Sequence, residues 1–227
     1  MEIEFECSDP HVLKYFPIVP AKDILPEWYS KLKANEPNIS KCMPVRDMVT
    51  AGYIVPTAYE EVMGVEHDGD IDQIGRITPV EEIGEFYRHV DHMTNPNMGH
   101  SHEQCPIEID GKKKAYFKIT LPWRIKTPKG YSCLLFQPFY HFKTDLTIMP
   151  GIIDTDEFDL SQLNFPGYLN KIEAELKPGV PLVQLIPFKR DEWTHKLSFK
   201  EKTTHSKMNF FLHNMYKRAF HQRKIFK

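Results

Sequence analysis

Histidine and cysteine supply the first candidate chemistry. His89, His92, His100, His102 and Cys105 fall in one polar stretch. His-x-x-His followed by His-x-His-x-x-Cys offers ligands of the kind zinc takes. A structural zinc needs about four such ligands converging tetrahedrally. No Cys-x-x-Cys pair stands in the chain, and Cys133 is the only later thiol. The same composition makes an ordinary solvated loop, which is the preferred reading, so no metal ligand and no cofactor is assigned. A pocket role for His102 and Gln104 stays open beside it, as does a histidine general base near neutral pH.

Other motifs are quickly weighed. Asp68-x-Asp70-x-Asp72 starts like a calcium loop but has Gln73 where the loop needs Gly and Pro79 where it needs Glu, so it is rejected. No phosphate-binding Gly-rich loop, dinucleotide fingerprint or Gly-x-Ser-x-Gly elbow occurs. Lys112-Lys113-Lys114 follows Asp110-Gly111 and reads as a hairpin tip. Trp123, Tyr131, Phe136, Phe139, Tyr140 and Phe142 can stack bases, but they read first as the core of a β structure.

The elements that must position these residues are short. Eighteen prolines punctuate the chain and favour strands and turns over long helices. Met1–Glu6 alternates apolar and acidic residues as a strand does. Ile24–Leu32 reads as a short helix burying Trp28, Tyr29 and Leu32, and Val45–Val49 as a helical turn closed by Gly52. Asp68-Gly69 between two alternating runs predicts a hairpin of Glu61–Glu66 with Ile71–Ile77. Pro79–Pro106 reads as a long loop. Ala115–Leu121, Tyr131–Gln137, Leu146–Met149, Ile172–Leu176 and Pro181–Pro187 are apolar or alternating runs at the spacing of a sandwich or barrel. The end, Thr204–Phe226, has the spacing of a basic amphipathic helix. The expected layout is a β-rich core over 1–202 and a basic helix over 203–227.

Composition sets the setting. The chain has 227 residues and a formal net charge of −2, in the ordinary globular range. No run of about 18 apolar residues is present, so no membrane span is expected. The N-terminus lacks a basic and then apolar leader, and Cys7, Cys42, Cys105 and Cys133 form no close pair. Free thiols in a reducing, cytoplasmic compartment are therefore expected. After Glu201 no acidic residue occurs, while Lys207, Lys217, Arg218, Arg223, Lys224 and Lys227 do. Such a tail can meet nucleic acid, or it can dock on an acidic face of its own body or of a neighbouring subunit.

The most specific stretch is Pro150–Pro187. Gly151-Ile152-Ile153-Asp154 forms one element, and Gly179-Val180-Pro181-Leu182-Val183-Gln184 the other. This stretch resembles the core of trimeric dUTPases and dCTP deaminases. The resemblance implies a dUTPase-like distorted β-barrel or sandwich, a homotrimer and a nucleotide ligand. It implies Asp154 as the water-activating carboxylate, with Asp156, Phe158, Gln184 and Ser132 as substrate-binding candidates. Departures accompany it: the aromatic Phe158 stands one place late, Gly130-Tyr131-Ser132 lacks the family's Arg, and a basic helix replaces the Gly-rich arm. Asp154-Thr155-Asp156 also reads, without the resemblance, as a polar turn, and Gln184 as a core amide satisfied by backbone. Pro122–Phe139, Gly151–Asp156, Asn164–Pro166 and Val180–Trp193 look like segments of an uncharacterised family of tailed bacteriophages and bacteria. That resemblance implies a phage origin and no activity.

Three readings stay open: a nucleotide-binding or nucleotide-processing protein, a non-catalytic structural or interaction protein that keeps the β scaffold, and a nucleic-acid-associated protein using its C-terminus. The sequence leaves open whether the chain is an enzyme.

Overall fold

Short apolar runs between turn residues become strands, and strands dominate the chain. A computed structural model describes residues 1–68, 71–79, 98–101, 103–106, 108–142, 145–158, 162–199 and 216–227. The first part holds β1 (Glu4–Cys7), α1 (Pro10–Tyr15), β2 (Val19–Pro20), α2 (Glu27–Ser30) and α3 (Met43–Thr50). Then come β3 (Tyr53–Pro56), β4 (Glu61–Asp68), β5 (Ile71–Pro79), β6 (Met98–His100), β7 (Glu108–Ile109) and β8 (Lys112–Lys113). The rest are β9 (Tyr116–Leu121), β10 (Trp123–Lys126), β11 (Tyr131–Phe136), β12 (Leu146–Ile148), β13 (Gly151–Ile153), β14 (Leu163–Leu169), β15 (Glu173–Leu176) and β16 (Pro181–Lys189).

The fold is mainly β, as the sequence predicts. The central sheet runs β13-β11-β16-β3-β2. A second runs β12-β14-β9-β6, a third β15-β4-β5-β8-β7, and β1 pairs with β10 alone. Among the described residues no sheet closes on itself. All four contribute to one apolar core, which includes Val55, Met63, Phe117, Trp123, Leu135, Phe165 and Leu185. Each large side chain so buried contributes about 1.5–3 kcal/mol. Alternation decides the inward face: β14 buries Leu163, Phe165 and Leu169 and turns Asn164 and Pro166 outward.

Local signals explain the connections. Asp9 caps α1, accepting from the N–H groups of His11 and Val12, with Pro10 in the first turn. β4 and β5 pair antiparallel, with Asp68 opposite Ile71. Asp110 and Gly111, both with positive φ, turn β7 into β8.

Some expectations change. β6 is a strand within the expected long loop, paired with β9. The helix expected over Ile24–Leu32 shrinks to α2, whose Trp28 is half-buried and donates its indole N–H to the Tyr140 carbonyl at 2.7 Å. Of the aromatic group, Trp123 is core, but Phe139 and Phe142 lie exposed. The expected C-terminal helix lies mostly outside the described residues. Its described end is one π-helical turn, Tyr216–Phe220, and then a strap without helix. The strap is drawn onto the body: His221 and Lys224 reach the Asp47 carboxylate at 2.9 and 2.6 Å, and Phe226 packs edge-on against Tyr53. These contacts are incompatible with a continued helix facing solvent. No helix among the described residues is long and apolar enough to cross a membrane.

Candidate functional site

The central sheet brings the predicted residues together by register. β11 lies between β13 and β16, with Cys133 opposite Ile153 and Ser132 opposite Phe188. One residue past Ile153, the chain leaves the strand at Asp154 beside Ser132. Two residues past Phe188, Arg190 arrives at the same end. The loop between β10 and β11 closes the group, with Gly130 at φ +85 turning its N–H toward Asp156.

Four side chains converge there. Ser132 donates its hydroxyl to Asp154 Oδ1 at 2.6 Å. Arg190 donates to Ser132 Oγ at 3.0 Å and lies 3.2 Å from Asp154 Oδ1. The same guanidinium grips Asp156 with both terminal nitrogens, at 2.7 and 2.5 Å, a paired geometry only arginine offers. Asp156 also accepts the Gly130 N–H at 2.7 Å. Beneath, Thr155 is buried and bonds Thr127 at 2.7 Å and the Cys133 thiol at 3.4 Å.

The two carboxylates differ in environment. The Asp156 side chain is 2% exposed and that of Asp154 is 61% exposed. Hydrogen bonds from Arg190 hold the Asp156 carboxyl down to about 2 against the opposing effect of burial, with Gly130 helping. Arg190 is raised in return, chiefly by its bonds to Asp156. Burial pushes the Cys133 thiol up to about 11, which removes it as a nucleophile near neutral pH. Ser132 accepts from Arg190 and so spends its own hydrogen on Asp154. It positions that carboxylate rather than attacking. Asp154, held through one oxygen and open to solvent, can orient a water molecule or accept from a hydroxyl.

A cavity of about 320 Å³ adjoins the cluster, lined by Arg124, Lys126, Thr127, Asp156 and Phe158 among others. Glu6 bridges Lys126 at 2.6 Å and Arg124 at 3.0 Å, and its carboxyl is lowered, first by the Lys126 bond. Phe158 packs partly buried against the core at this edge.

Ser132, Asp154 and Asp156 therefore meet, and Phe158 sits on the neighbouring wall. Gln184 lies elsewhere on β16. It is buried, and its amide donates to the Met48 and Ala51 carbonyls at 2.9 and 2.8 Å, fastening the end of α3 to the sheet. Arg190 was not among the predicted residues. Its signal was the Lys189-Arg190-Asp191 triplet closing the longest late apolar run, a cation at a strand end. His89, His92 and His102 lie outside the described residues. His100 bonds Gln104 at 2.6 Å, and among the described residues no group of His, Cys, Asp and Glu could hold a metal ion.

No protein-family model matches the chain, and no curated protein matches it. The solved structure of native EIAV dUTPase is similar to it, at 11% identity and a TM-score of 0.40, covering 89% of this chain and 100% of that one.

Proposed function

We propose that the chain binds and processes a nucleotide at the open end of the central sheet, with Asp154 orienting the attacking water. One observation carries this reading: Ser132 and Arg190 converge on an exposed Asp154, while Asp156 absorbs the charge of Arg190 from beneath. The assignment separates two roles. Asp156 builds the site, and Asp154 works in it. The adjoining cavity carries Arg124 and Lys126, which phosphate oxygens would share with Glu6, and the edge of Phe158 for a ring. Such an open site gains from a second wall, and a homotrimer that sets a neighbouring subunit over Asp154 belongs to the proposal. So does a phage-encoded protein working in the host cytoplasm, which rests on the sequence resemblance alone.

The test joins binding with turnover. Deoxynucleoside triphosphates at 100 times their dissociation constant add about 2.7 kcal/mol to stability, read as a raised melting temperature. Asp154→Asn is expected to keep that rise and lose the release of pyrophosphate or ammonia. Light scattering is expected to give three times the chain mass. If no nucleotide raises the melting temperature, the non-catalytic reading replaces this one. The nucleic-acid reading is weaker, because Asp47 already binds Lys224 and His221 of the basic tail.

A further inference from the structure

The C-terminal strap does not lie flat on the body. Between it and α3 is a cavity of about 440 Å³, within the size range of small-ligand sites. Among the described residues its walls carry Lys22, Arg46, Lys217, Arg223 and Lys224, and one carboxylate, Asp47. That carboxylate is already engaged. Lys224 reaches Oδ2 at 2.6 Å, and His221 bonds Oδ1 at 2.9 Å. Burial pushes the Asp47 carboxyl up, but the bonds from Lys224 and His221 outweigh it, and the net shift is downward. Among the described residues, Lys22, Arg46, Lys217 and Arg223 pair with no carboxylate. Cations gathered within one cavity repel each other, and at physiological salt such charges feel one another over about 8 Å.

We infer that this cavity binds a small polyanion through its phosphates, an inorganic polyphosphate or the phosphate chain of a nucleotide. The excess positive charge on its walls selects several negative charges on one short molecule. Two of the four unpaired cations are arginines, whose forked donors match phosphate oxygens. Its walls come from two parts of the chain: Lys22 and Arg46 from the body, Lys217 and Arg223 from the strap. A bound polyanion therefore ties the C-terminus down as well as filling the space. The site shares no residue with the Ser132–Asp154 cluster, so it stands whether or not that cluster processes nucleotides.

Sodium tripolyphosphate, titrated calorimetrically into the full chain, tests this. The expected result is saturable binding that weakens as salt rises, with the strap protected from proteolysis. Each arginine removed costs about tenfold in affinity, the worth of a charged hydrogen bond, so Arg46→Gln with Arg223→Gln abolishes most of it. Asp154→Asn leaves it unchanged. A nucleoside triphosphate run in parallel separates the two ligand sources: equal affinity assigns recognition to phosphate alone, and tighter binding that the double variant also loses adds the nucleoside. Three results would overturn the inference. One is no tripolyphosphate binding, including the case where only single-stranded DNA binds. Another is tripolyphosphate binding that the double variant leaves unchanged in both affinity and number of sites. The third is binding lost in Asp154→Asn instead.

Discussion

Two charged regions of the molecule solve opposite problems. At the end of the central sheet, Arg190 sits between Asp154 and Asp156, and a backbone N–H joins it. Charge is cancelled inside the fold, and one carboxylate is left in solvent. Beside α3, several cations surround Asp47, and among the described residues that one carboxylate does not balance them. The first arrangement is built from strand ends fixed by register. The second is assembled when the last residues of the chain return to the first helices. A site made from one sheet comes pre-formed, whereas a site closed by a strap can be opened.

The strongest way to break this contrast is at Gly52, where α3 hands over to β3. Its φ is +67, and a Cβ there would stand 1.9 Å from the Leu185 carbonyl oxygen. That oxygen belongs to a central strand and cannot yield cheaply. Gly52→Ala is expected to cost about 3 kcal/mol or more in chemical denaturation. A wild-type denaturation curve would mean that α3 is not seated by this contact.

A smaller loss is expected at Gln184. Replacing it with Leu leaves the Met48 and Ala51 carbonyls without their amide partner, at about 1–3 kcal/mol. The response to nucleotides is expected to persist, because the amide supports α3 and does not reach Asp154. Loss of nucleotide binding without loss of stability would place Gln184 in the working site after all.

These two residues show what was legible from sequence. Gly52 was readable as a helix stop, because a left-handed residue after a short helix favours glycine. The runs that became β9, β11, β12, β15 and β16 were readable from alternation and from Pro and Gly punctuation. The nearness of Ser132, Asp154 and Asp156 could be guessed only through a resemblance, since it depends on β11 lying between β13 and β16. Gln184 was misleading for a physical reason. A buried amide in a strand looks the same in sequence whether it meets a ligand or two helix carbonyls. Arg190 had only a weak signal, because a cation at a strand end is common, and only the pairing register brings it over two carboxylates. Of the expected C-terminal helix only the end is described, and there the pull of Asp47, distant in sequence, is something helical spacing cannot register.

Acid separates the two regions next. The Asp156 carboxyl is held at about 2, below its ordinary value of 3.8. The unfolded chain therefore binds more protons in that window, and stability falls as pH drops from about 4 to about 2. Asp156→Asn is expected to flatten this part of the pH–stability curve. Asp47 contributes with the same sign, through its bonds to Lys224 and His221, and Asp47→Asn is expected to flatten it less. An unchanged slope in Asp156→Asn would show that the grip of Arg190 is not held in solution.

The smallest effect on stability is expected at Ser132, and it is the one that bears most on function. Ser132→Ala removes a 2.6 Å bond to Asp154, but that carboxylate is largely in solvent and water replaces the donor. Arg190 keeps Asp156 and the Tyr131 carbonyl at 3.1 Å, so the guanidinium is not stranded. The loss of stability should stay within about 1 kcal/mol. If Asp154 works on water, its aim matters more than its presence, and turnover should fall while nucleotide binding holds. If Ser132 is only a strand residue satisfying its own hydroxyl, both quantities stay at the wild-type level. The ratio of the two, measured in one variant that folds, thus separates a sheet end that performs chemistry from one that merely balances its charges.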